Sequence, residues 1–90
     1  ITLVDESALR AALAAFEAAV AADPEFAAAH ANRAIVLATL AGLSLVSKDL
    51  ARMLSDADAA AQRALTLEPA LPVARYAVAL NCELRLDWAC

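Results

Sequence analysis

Apolar side chains recur at steps of three and four from the start of the chain: Leu9, Leu13, Phe16 and Val20. That spacing places them on one face of a helix and predicts a first helix over about 6–22, with Asp5 or Thr2 as its cap. Asp23-Pro24 ends it. Proline suits the first turn of a helix and not its interior, so a second helix is predicted over about 25–41, with Asp23 as cap and Gly42, the only glycine, as its stop. The stretch 43–47 reads as a loop. Ser47 before Lys48-Asp49-Leu50 then looks like the cap of a third helix. It carries Leu50, Leu54, Ala57, Ala61, Ala64 and Leu65 on one face and Lys48, Arg52, Ser55, Gln62 and Thr66 on another, as far as Leu67. Glu68-Pro69 repeats the earlier punctuation, and a fourth helix is predicted from near Pro72 to about Leu86.

Composition sharpens this to an all-α fold. Hydrophobic residues make up 63% of the chain, close to half of them alanine, and one glycine and three prolines are too few for an all-β fold with many turns. Short connections make consecutive helices antiparallel neighbours, and alanine on facing sides lets them approach closely. Residues 1–90 form one small domain. A chain that starts at Ile1 and stops at Trp88-Ala89-Cys90 reads as a fragment of a longer protein.

The chain also repeats itself. A shift of 45 residues aligns Leu9 with Leu54, Ala12 with Ala57, Ala15 with Ala60, Ala19 with Ala64, Pro24 with Pro69, Ala29 with Ala74 and Ala34 with Ala79. The prolines, the leucines and the acidic residue before each proline carry the match, because alanine matches are cheap in this composition. Fixed-period similarity is the mark of stacked units that bury their faces against neighbours.

The run Ala12-x3-Phe16-x2-Ala19 with Pro24 five residues on resembles the second helix and terminal proline of a tetratricopeptide (TPR) repeat. Ala57, Ala61, Ala64, Leu65, Leu67 and Pro69 match the same positions again, with Ala61 in place of the expected aromatic. His30, Arg33, Ala34 and Leu37, and then Arg75, Val78, Ala79 and Cys82, stand where the family often has Trp, Leu, Gly and Tyr. The period exceeds the family's usual length of about 34 residues, with the excess between Leu43 and Leu54. This long unit and the stretch from Glu68 to Ala89 resemble the repeat segments that follow the effector domain in bacterial class III adenylate cyclases and membrane-anchored winged-helix transcription regulators.

The resemblance implies an α-solenoid of TPR type, about four helices in antiparallel pairs. It further implies a non-enzymatic module for protein–protein interaction or self-association in a bacterial signalling protein. The first helix of each pair would line a concave groove, with Ala31, Asn32, Ile35, Ala38 and Thr39 from one helix and Tyr76, Leu80 and Glu83 from the other toward a protein or peptide partner. No Lys and Asn pattern of the carboxylate-clamp kind stands there, so capture of a peptide C-terminus is not implied. A small-residue surface packing on the rest of the parent chain is the alternative for this face. For the segment as a whole, the alternatives are a structural spacer with no external ligand and a closed four-helix bundle in which the fourth helix packs back on the first.

Charge and chemistry narrow the rest. A formal net charge of −4 with scattered basic residues argues against nucleic acid and anionic membrane surfaces. The longest stretch without a charged side chain, 34–47, is shorter than the ~18 residues a spanning helix needs, so this segment makes no membrane contact and its expected location is the cytoplasm, or the periplasm if the parent is membrane-anchored. There is no phosphate-binding or dinucleotide glycine motif, and Asp56 and Asp58 point to different faces of a helix, so neither catalysis nor a cofactor is expected. His30 has no metal-ligating neighbour at helical spacing and reads as a packing residue. Cys82 and Cys90, ~12 Å apart if helical throughout, read as reduced thiols. Trp88 reads as part of a following repeat. Leu3, Val4, Leu84, Leu86 and Trp88, at the two ends, are expected to drive homo-oligomer formation.

Overall fold

The computed structural model describes residues 5–43 and 49–85. These form four helices: α1 (Glu6–Ala22), α2 (Ala27–Leu43), α3 (Leu50–Leu67) and α4 (Pro72–Leu84). Among the described residues there is no strand.

The Asp5 carboxylate accepts from Ser7 N–H at 2.9 Å, so α1 starts at the cap its sequence offers. The second helix begins two residues later than expected. Asp23 Oδ1 accepts from Glu25 N–H at 3.1 Å, and Phe26 N–H donates to the Asp23 carbonyl at 3.0 Å. These bonds fold Pro24 and Glu25 into a turn, and neither enters the helix. Gly42 lies inside α2, which continues to Leu43. The surroundings are open, an added Cβ meeting nothing nearer than Leu84 Cδ2 at 4.0 Å, and the helix runs through the glycine despite its low propensity. Asp49 precedes α3 without a side-chain cap bond, and the expected cap, Ser47, lies outside the described residues. α4 stops at Leu84, short of the expected Leu86, with Arg85 at its end.

The 45-residue similarity reappears as backbone geometry. Asp23 and Glu68, which follow α1 and α3, have φ/ψ of −142/91° and −143/87° and donate N–H bonds to Ala19 and Ala64, both at 2.9 Å. Phe26 N–H to Asp23 and Leu71 N–H to Glu68 close the two turns at 3.0 and 3.1 Å. Side chains of unlike chemistry then do the same job. His30 Nε2 lies 2.7 Å from the Pro24 carbonyl, and Arg75 Nε donates to the Pro69 carbonyl at 3.2 Å.

α2 is the central element. α1 and α3 pack on it, and α4 packs against both α2 and α3, while α1 comes close to α2 alone. Of the sixteen buried apolar residues described, twelve are alanine, which is why the helices approach so closely. Ala31, Ala34, Ala60, Ala61, Ala64, Ala74 and Ala77 form one cluster, with Ile35, Leu65, Leu71, Val73 and Val78 as larger wedges around it. A second cluster of Leu37, Ala38 and Ala57 gathers Leu13, Leu80 and Leu84. Each buried methyl contributes about 0.8 kcal/mol, so stability comes from many small contacts. No residue of α1 is buried. Its tie to α2 is the half-exposed face of Leu9, Leu13, Phe16 and Val20, with an Arg33–Glu17 ion pair at 3.6 Å.

Candidate functional site

Asn32, Ile35 and Thr39 follow one another at helical steps along α2, and Tyr76, Leu80 and Glu83 do so along α4. The two helices lie in contact, but the six side chains differ in what they present. Asn32 Nδ2 donates to the Ala28 carbonyl and Thr39 Oγ1 to the Ile35 carbonyl, both at 2.8 Å, so their donors serve their own helix. Each keeps its oxygen as an acceptor on a half-buried surface. Ile35 and Leu80 wedge against the alanine clusters. Tyr76 is 57% exposed and Glu83 is exposed. Ala31 and Ala38, expected on the same face, are covered at 0% and 1% exposure. Alanine side chains are too short to reach past the neighbouring helices, which cover them from both sides.

A second concavity was not evident from the sequence. α1 and α3 stand apart on α2, and between them lies a cavity of about 290 Å³. Leu13, Leu37, Leu40 and Met53 supply its apolar lining, and Arg10, Arg33 and Arg52 line it together with Glu17, Asp49 and Asp56. Arg52 pairs with Asp49 at 3.5 Å and Arg33 with Glu17 at 3.6 Å, so opposite charges are already matched in place. Such a balanced, open furrow is without the convergent donors that fix a small ligand.

Sequence reasoning also missed a polar contact inside the helix packing. Asn81, 1% exposed, donates from Nδ2 to Asp58 Oδ1 at 3.3 Å, and Arg85 Nη1 lies 3.7 Å from Asp58 Oδ2. Asn81 Oδ1 has no hydrogen-bond partner. By the 45-residue shift these three residues stand where the first unit has Leu13, Val36 and Leu40. The signal was therefore present in the sequence, as three coordinated changes from apolar to polar.

Cys82 corrects the expectation of reduced thiols. It is disulfide-bonded, and the helical spacing that argued against a bridge lapses because α4 ends at Leu84. Cys90, the only other cysteine, lies outside the described residues, as do Leu3, Val4, Leu86 and Trp88. Leu84, the remaining member of the expected self-association set, is half-buried against the second alanine cluster. His30 is 9% exposed and engages Pro24 as described. Among the described residues no group of three or more His, Cys, Asp or Glu side chains is placed to hold a metal, and no helix is long and apolar enough to cross a membrane.

Comparison of the chain with protein-family models, with curated proteins and with solved structures gives no match.

Proposed function

We propose that this chain is a pair of TPR-type helical units acting as a non-enzymatic protein-interaction module within a larger bacterial signalling or regulatory protein. The observation that carries the reading is the bond-for-bond recurrence of the acidic-Pro turn 45 residues apart, with the helix after each turn docking on the helix before it. Stacking of this kind leaves ends open, and α4 does not return to α1 as a closed bundle requires. Partner recognition would rest on the half-exposed face of α2 and α4. Tyr76 is its aromatic anchor, Leu80 and Ile35 its apolar floor, and Asn32, Thr39 and Glu83 its polar rim. The disulfide at Cys82 favours the periplasmic side of a membrane-anchored parent, since such bonds persist in oxidising compartments.

A photo-crosslinking amino acid at position 76 of the parent protein, compared in cells with one at exposed Thr66 on α3, tests this reading. A discrete protein adduct at 76 and none at 66 is expected. The spacer alternative requires no discrete adduct at either position, and that result would overturn the module.

A further inference from the structure

Helices α1, α3 and α4 end in two different ways. Asp23 and Glu68 turn the chain out of helical geometry, at φ/ψ of −142/91° and −143/87°, and a proline follows each. Arg85 does neither. Its φ/ψ of −87/−1° stays in the helical region, and its N–H donates to the Asn81 carbonyl at 3.1 Å, the four-residue bond of a continuing helix. The sequence from Leu86 to Cys90 holds no glycine or proline, and its leucine and alanine favour helix. α4 therefore stops without a local signal to stop it.

Cys82, 7% exposed in the last turn of α4, supplies another cause. It is disulfide-bonded, and the sequence holds one other cysteine, Cys90. Eight residues of unbroken helix would set their Cα atoms ~12 Å apart, while a disulfide needs about 7 Å or less. The bond and a helix running on to Cys90 exclude each other. We infer that Cys82 pairs with Cys90 and that this bond is a redox switch on the length of α4. Oxidised, the helix is held to Leu84; reduced, it runs on past Arg85, adding backbone bonds to a turn that is already formed and so needing no new nucleus. The reductant is a dithiol. One of its thiolates attacks a sulfur of the bridge, the S–S bond breaks, and the other sulfur leaves with the electron pair and takes a proton. The second thiolate of the dithiol then displaces the first sulfur as a thiol, so two electrons and two protons reach the cysteines and the dithiol becomes a disulfide. Leu86 and Asp87 stand three and four residues past Glu83, and extension adds them to the line of Tyr76, Leu80 and Glu83. The switch itself does not depend on that line binding a partner.

Trypsin cuts after Arg75 and Arg85, between the two cysteines. Denatured and digested without reductant, the chain is expected to give peptides 76–85 and 86–90 as one linked mass that dithiothreitol separates. Unlinked peptides, or 76–85 linked to itself, would overturn the pairing. In backbone NMR of the oxidised 90-residue chain, the Cα shifts of Leu86, Asp87 and Trp88 are expected at non-helical values. Dithiothreitol is expected to move them downfield to helical values while those of α1 to α3 stay in place. Cys90→Ser is expected to show the helical values without reductant, which separates loss of the bond from any other action of the dithiol. Helical shifts at these three residues in the oxidised chain, or non-helical shifts in either the reduced chain or the variant, would overturn the switch.

Discussion

The His30 imidazole and the Pro24 carbonyl lie 2.7 Å apart, six residues separated in sequence, and close the turn between α1 and α2. A carbonyl oxygen only accepts, so Nε2 carries the proton. Arg75 makes the same six-residue reach to Pro69 in the second unit, from a more exposed position. Two side chains that share almost no chemistry beyond a ring or guanidine N–H thus hold equivalent turns.

Burial sets how much each bond is worth. His30→Ala should destabilise the chain by about 1–2 kcal/mol, because a nearly buried ring and its bond are both lost, whereas Arg75→Ala should cost under about 0.5 kcal/mol, its donor being replaced by water. Urea unfolding midpoints of the two variants check the ranking, and equal losses would contradict it.

Gly42 should be improvable. A Cβ at this position meets nothing nearer than Leu84 Cδ2 at 4.0 Å, an ordinary contact, and the residue sits inside α2. Gly42→Ala is expected to raise stability by about 0.5–1 kcal/mol, read as a higher thermal midpoint. A loss instead would mean that α2 needs glycine for its end, as the sequence alone suggests.

Asn81 carries an unpaired buried carbonyl oxygen, and Val36 shows that an apolar residue fits the equivalent place in the first unit. An unsatisfied buried polar group costs about 1–3 kcal/mol, which outweighs one 3.3 Å bond to a partly exposed carboxylate. Asn81→Val is therefore expected to be neutral or stabilising in chemical denaturation. A loss above about 1.5 kcal/mol would mean that the bond to Asp58 dominates.

The second unit should resist the aromatic that the first one holds. Phe16 is half-exposed on α1, while its counterpart Ala61 is fully covered between α2 and α4. Ala61→Phe is expected to cost at least about 1–3 kcal/mol by overpacking. A variant as stable as the native chain would show that α4 shifts outward freely.

Intact mass under non-reducing conditions should be two hydrogens lighter than after reduction, reflecting the bond at Cys82. Unchanged mass, with both thiols open to alkylation in the folded chain, would contradict it.

Much of this architecture was legible in the chain. The limits of α1 could be read because Asp5 and Asp23-Pro24 are local signals whose bonding depends on two or three residues. The start of α2 could not, since Asp23 can cap a helix or brace a turn with the same oxygen, and the choice depends on where α2 must lie against α3. Gly42 misled for a related reason: propensity marks it as a stop, while packing carries the helix past it. Within the expected recognition face, periodicity could set Asn32, Ile35 and Thr39 at helical steps on α2, yet it could not tell that Ala31 and Ala38 would be roofed over. That depends on how near alanine lets α4 come.

The exchange of Leu13, Val36 and Leu40 for Asp58, Asn81 and Arg85 gives the molecule a reading direction. Were α1 and α3 to trade places, Asp58 would stand opposite Val36 and Leu40 with nothing to answer its charge, and Asn81 and Arg85 would stand opposite Leu13. Each junction therefore accepts its own helix and refuses the other's, so a chain built from near-copies keeps its order while folding. The unpaired oxygen of Asn81 is then the toll for telling the first helix pair from the second.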